Sequence, residues 1–116
     1  MGTLKIKNLL LRTCVGFNPH EIGKRQDLII NITIKYDSDK EEKSDKPEDA
    51  LDYRTITKEI IEKVEKSKFN LIEALARLVL DTIMTYERVS YSEVEIDKMH
   101  ALRFSESVSI TLSAQR

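Results

Sequence analysis

An α+β fold is predicted for this chain, with a ββααββ order in which four antiparallel strands form one sheet and two helices cover one of its faces. The first observation behind it is strand-like alternation near both ends, cleanest where Leu28, Ile30, Ile32, Ile34 and Tyr36 fall on even positions. The second is a central stretch in which apolar residues recur at the spacing of a helix face. The third is size, since 116 residues of 41% hydrophobic content make one domain, residues 1–116, with a modest core.

Residues 3–15 read as the first strand, and the apolar parity switches between Ile6 and Leu9, which predicts a bulge near Lys7-Asn8. Residues 27–36 form the second strand, with Asp27, Asn31, Thr33 and Lys35 on its wet face. The charged run 37–48 has one proline and no periodicity, and reads as a mobile surface loop. It lacks the central glycine and spaced ligands of a calcium loop. Asp52 is placed to cap a first helix whose buried face is Ile56, Ile60, Ile61 and Val64. After the connector Lys66-Ser67-Lys68-Phe69, a second helix carries Leu71, Leu75, Leu78, Val79, Ile83 and Tyr86. Strands at 89–98 and 105–113 complete the order. A sheet of this kind leaves two unpaired edges, which predicts ring closure with other copies into an oligomeric barrel and sites formed between subunits.

Composition excludes several function classes. With a net charge of −1 and no basic stripe, the chain is not expected to bind nucleic acid. Cys14 is the single cysteine, so neither an intrachain disulfide nor a cysteine-rich zinc site can form, and a reducing, cytoplasmic setting is expected. The first residues contain no continuous apolar stretch, and Ile6 departs from a myristoylation signal, so a soluble protein without membrane association is expected. His20 and His100 belong to no metal-binding pattern, and neither a G-x-S-x-G elbow nor a glycine-rich phosphate loop is present. Chemistry without metal or cofactor is the expectation.

Four residues stand out. Lys98 ends the row Val94, Ile96, Lys98, where partial burial would disfavour its charged form and suit it to proton exchange; the alternative is a strand-end cation reaching into water. Glu73 follows Asn70 at capping-box spacing, and is either a helix-start carboxylate or a paired acceptor for a planar ligand edge. Tyr53, at the entrance to the first helix, is a packing residue or a ring face for a flat heterocycle. Glu21 lies in the loop between the first two strands, where glutamates are commonly solvated.

Taken in order on a ββααββ chain, Glu21, Tyr53, Glu73 and Lys98 resemble the functional positions of the dihydroneopterin aldolase superfamily of tunnelling folds. The resemblance covers essentially the whole chain. Its anchors are Gly16 with Glu21 and Gln26, Leu51-Asp52-Tyr53, Asn70-Leu71-Ile72-Glu73, and Glu93-Val94-Glu95-Ile96-Asp97-Lys98. Within the superfamily the chain is more similar to the dihydroneopterin triphosphate 2'-epimerase branch, through Leu11-Arg12-Thr13, Arg25-Gln26-Asp27, Leu51 to Lys58 and Asp97 to Phe104. Met99-His100-Ala101-Leu102-Arg103 stands where aldolases proper carry a proline-rich turn.

The resemblance implies a pterin substrate and a homo-octamer of two stacked tetramers with sites at subunit interfaces. It implies Lys98, Tyr53 and Glu21 as catalytic residues, and Glu73, Leu71, Ile72 and Tyr53 around the pterin. His100, Arg103 and Arg12 are the candidates for holding phosphate. The activity implied is inversion of C2' of 7,8-dihydroneopterin triphosphate, giving dihydromonapterin triphosphate by retro-aldol and aldol steps. The alternatives are an aldolase of folate biosynthesis, releasing 6-hydroxymethyl-7,8-dihydropterin and glycolaldehyde, and a non-catalytic oligomeric scaffold.

Overall fold

Alternation in the sequence becomes a curled sheet in the computed structural model, which describes all 116 residues. Strand β1 spans Gly2–Val15, β2 Gln26–Tyr36, β3 Lys68–Phe69, β4 Val89–Met99 and β5 Ser107–Gln115. Helices α1 (Asp39–Ser44), α2 (Tyr53–Lys66) and α3 (Ile72–Met84) join them, with a 3₁₀ turn at Pro47–Asp49. The strand order is β3-β1-β2-β4-β5, antiparallel except for β3, which runs parallel to the end of β1.

Each even position of β2 from Leu28 to Ile34 is buried, as are Val94 and Ile96 of β4. Against them pack Ile56, Ile60 and Val64 from α2 and Leu75, Val79, Leu80 and Ile83 from α3. The α+β class and the two long helices on one sheet face are therefore as expected. The bulge is where the parity switch placed it, since the β1–β2 register shifts between Ile6 and Leu9. Asn8 takes a positive φ of 54°, a conformation asparagine tolerates better than most residues, and its N–H donates to Asn31 Oδ1 at 2.9 Å. Beyond the bulge the odd residues Leu11, Thr13 and Val15 turn inward, which sets Arg12 on the outer side.

Three features differ from expectation. The sheet has five strands rather than four, because the connector after α2 runs beside the end of β1 as β3 and Gly16 N–H donates to Phe69 O at 2.9 Å. Two residues are too few to leave an alternation signal. The charged run is not an unstructured loop but contains α1 and the 3₁₀ turn. Arg88, distant in sequence, donates to both Glu41 carboxylate oxygens at 2.9 and 2.8 Å and to the carbonyls of Asp37 and Asp49, so α1 is held without burying any of its own residues. Finally, Asn70 does not cap α3. Leu71 occupies the cap position without a side-chain bond, whereas Asp52 does cap α2 by accepting from Thr55 N–H at 3.0 Å. No helix is long and apolar enough to cross a membrane.

Candidate active site

The chain leaves β1 at Gly16 with a φ of 136°, and any Cβ there would lie 2.5 Å from the Glu21 carboxyl, so only glycine lets the following loop fold back. That loop delivers Glu21 to the end of β4. Its Oε1 accepts from Asn18 Nδ2 at 2.8 Å, and its Oε2 accepts from Gln26 Nε2 at 3.2 Å and from the Lys98 ammonium. Gln26 is steadied in turn by donating to Val15 O at 2.7 Å.

Lys98 comes to this point because β4 is a central strand, paired with Leu28 on one side and Val108 on the other. It ends the row Ser92, Val94, Ile96, all buried. The side chains of Lys98 and Glu21 are only 13% and 10% exposed, so Lys98 does not reach into water, nor is Glu21 an ordinary solvated loop residue. The hydrogen bond from Lys98, reinforced by those from Asn18 and Gln26, outweighs burial and holds the Glu21 carboxyl down at about 2. A depressed carboxyl stabilises the folded chain above its unfolded value near 4.5, and that contribution is lost as pH falls from there through about 2.

Glu21 and Lys98 open into a cleft of about 840 Å³, a size suited to a bicyclic heterocycle with a side chain. The start of α3 also contributes, with Leu71, Ile72 and Glu73 lining the wall. Glu73 sits at the second helical position and makes neither an ion pair nor a side-chain hydrogen bond, so its carboxylate is free to accept from a ligand. The mouth is basic: Arg12, Lys24, Arg25, His20 and His100 contribute to it, with Arg12 paired to Asp27 at 2.9 Å.

The structure thus brings Glu21, Leu71, Ile72, Glu73, Lys98, His100 and Arg12 to one cleft. Two other candidates lie elsewhere. Tyr53, 47% exposed, starts α2 and faces a separate groove with Leu4, Ile6 and Ile61. Arg103 does not line the cleft, and its guanidinium rests 5.3 Å from the ring centre of the exposed Phe104. Sequence reasoning did not find Asn18 and Lys24, nor did it assign site roles to Gln26 and Arg25. The available signal was a cluster of donors and cations in the loop that carries Glu21.

Comparison with known proteins gives the family. The dihydroneopterin aldolase (FolB) family matches residues 4–113. The chain is 53% identical to the dihydroneopterin triphosphate 2'-epimerase of Escherichia coli K12, covering 97% of this chain and 94% of that one. It is 47% identical to the epimerase of Pseudomonas aeruginosa, covering 100% and 94%. A crystal structure of E. coli dihydroneopterin aldolase in complex with neopterin is 24% identical and matches with a TM-score of 0.92, covering 98% of this chain and 99% of the other. With the family matching residues 4–113 and a relative 53% identical over 97% of the chain, the chain belongs to the dihydroneopterin aldolase family.

Proposed function

We propose that the protein inverts C2' of 7,8-dihydroneopterin triphosphate, breaking and remaking the C1'–C2' bond without metal or cofactor. One observation carries the chemistry: the Lys98–Glu21 pair and the unpartnered Glu73 carboxylate share a single cleft. The 53% identity to a 2'-epimerase supports this activity over the aldolase reaction.

In this reading Glu73 accepts from the ring's 2-amino and N3–H groups, two parallel donors that match a carboxylate. Loss of the 2'-hydroxyl proton turns C2' into an aldehyde as the C1'–C2' bond breaks. The bond's electron pair becomes the C1'=C6 double bond, and the C6=N5 π pair takes a proton at N5. Because the ring is the electron sink, neither a Schiff-base lysine nor a metal is needed. Lys98 relays the protons between N5 and the hydroxyl, and Glu21 orients its ammonium. Re-addition of C1' to the other face of the retained aldehyde inverts C2', whereas escape of the aldehyde gives the aldolase products.

Incubation with dihydroneopterin triphosphate is expected to give mainly the 2'-epimer, with 6-hydroxymethyldihydropterin a minor product on chiral analysis. Predominant hydroxymethyl product, formed equally from unphosphorylated dihydroneopterin, would establish the aldolase instead.

The same reading places the working site between subunits of a cytoplasmic octamer built from two stacked tetramers. Support comes from the free outer edge of β5 and from Tyr53, which is half-exposed away from its own cleft and so available to stack on a pterin held by a neighbour. The free thiol of Cys14 suits a reducing compartment. Sedimentation at micromolar concentration is expected to show an assembly several-fold heavier than the 13.4 kDa chain, and a species of that mass alone would sink the shared-site arrangement.

A further inference from the structure

We propose that Lys24 and Arg25 form the subsite that receives the substrate's triphosphate, a role that presupposes the phosphorylated substrate proposed above. Arg12, Lys24, Arg25 and Lys98 are the lysines and arginines of the cleft. Two are already engaged, Lys98 with Glu21 and Arg12 with Asp27. Lys24 and Arg25 have no carboxylate partner. Arg25 makes only two long hydrogen bonds, 3.4 Å each, from Nη2 to the carbonyl oxygens of Arg12 and Glu65. These orient the guanidinium without neutralising it. Both side chains are exposed at the mouth, where a polyanion can approach from water.

Charge and position select these two over the other lysine and arginines. Of the cleft's carboxylates, Glu21 and Asp27 are paired and Glu73, on α3, is free, so the unpaired lysine and arginine that an incoming triphosphate meets are Lys24 and Arg25. Both lie on the loop that holds Glu21 against Lys98, three and four residues beyond Glu21. The phosphate chain hangs from C3', next to the carbon whose bond breaks, so its anchor belongs on that side. A guanidinium can grip phosphate oxygens in pairs and an ammonium adds a mobile point charge. Together they hold the cleaved aldehyde through its phosphates while it turns and re-adds. Arg103, by contrast, stands outside the cleft.

Inorganic tripolyphosphate is the direct probe, measured by calorimetry on the intact assembly at low ionic strength, where charge pairing is least screened. It is expected to bind the wild type and to lose about ten-fold in affinity in each of Lys24→Gln and Arg25→Gln. No binding to the wild type, or equal binding to the variants, overturns the subsite. In kinetics, the preference for dihydroneopterin triphosphate over dihydroneopterin in kcat/KM is expected to fall by a similar factor in each variant. An equal loss on both substrates also overturns it, leaving Arg25 as a support for the end of α2. Should tripolyphosphate binding depend on both side chains while the wild type forms no 2'-epimer, the subsite stands and the epimerase function falls.

Discussion

Replacing Lys98 by alanine is expected to slow pterin turnover by about 10²- to 10⁴-fold in a protein that still folds, the loss typical of removing a positioned acid or base. The side chain is not a core residue in the packing sense. It is the polar end of a row whose buried members, Ser92, Val94 and Ile96, remain in place, and Glu21 keeps its hydrogen bonds from Asn18 and Gln26. A second readout separates chemistry from support. The Lys98 hydrogen bond is the largest cause of the low Glu21 value, so its removal lets the folded carboxyl rise toward 4.5. The stability that wild type loses between pH 4.5 and 2 through this group should shrink in the variant, as seen in denaturant melts along a pH series. Near-normal turnover in folded Lys98→Ala would make the pair purely structural.

Glu73→Gln is expected to weaken pterin binding by ten-fold or more while shifting the melting temperature by no more than a few degrees. At the second position of α3 the charge interacts with the helix dipole, worth about 0.3–1 kcal/mol, and no cap bond is lost because none exists. Facing two ring donors, a carboxylate makes two charge-assisted bonds of about 1.5–3 kcal/mol each. The amide accepts at one end only and sets its own NH₂ against a donor at the other. Titration with a neopterin analogue, paired with a thermal melt, distinguishes the two roles. Unchanged affinity with a clearly lower melting temperature would return Glu73 to helix stabilisation.

Legibility differed by element for physical reasons. β2 and β4 were readable because one buried face imposes a period of two, β5 because half-buried and exposed residues alternate along it, and α2 and α3 because one buried stripe imposes a period near 3.6. Even the β1 bulge was visible, since inserting a residue reverses which parity faces the core. α1 was not, because a helix that buries none of its residues leaves no apolar period, and its clamp, Arg88, is far along the chain. β3 escaped for want of length. Asn70 looked like a cap, yet α3 begins one residue later than such a cap requires.

Sequence by itself determined the fold class, the family resemblance and the side of the sheet on which Lys98 lies, because burial of one face writes a local, periodic pattern into the chain. Only the tertiary structure decided which groups meet. Glu21 reaches Lys98 across 77 residues through a loop that turns on Gly16, and the ion pairs of the cleft then distinguish the engaged Arg12 from the unpaired Lys24 and Arg25. It also set Tyr53 on a different groove from Lys98. Such partnerships depend on loop paths and on where strand ends stop, neither of which imposes a repeating demand on neighbouring residues.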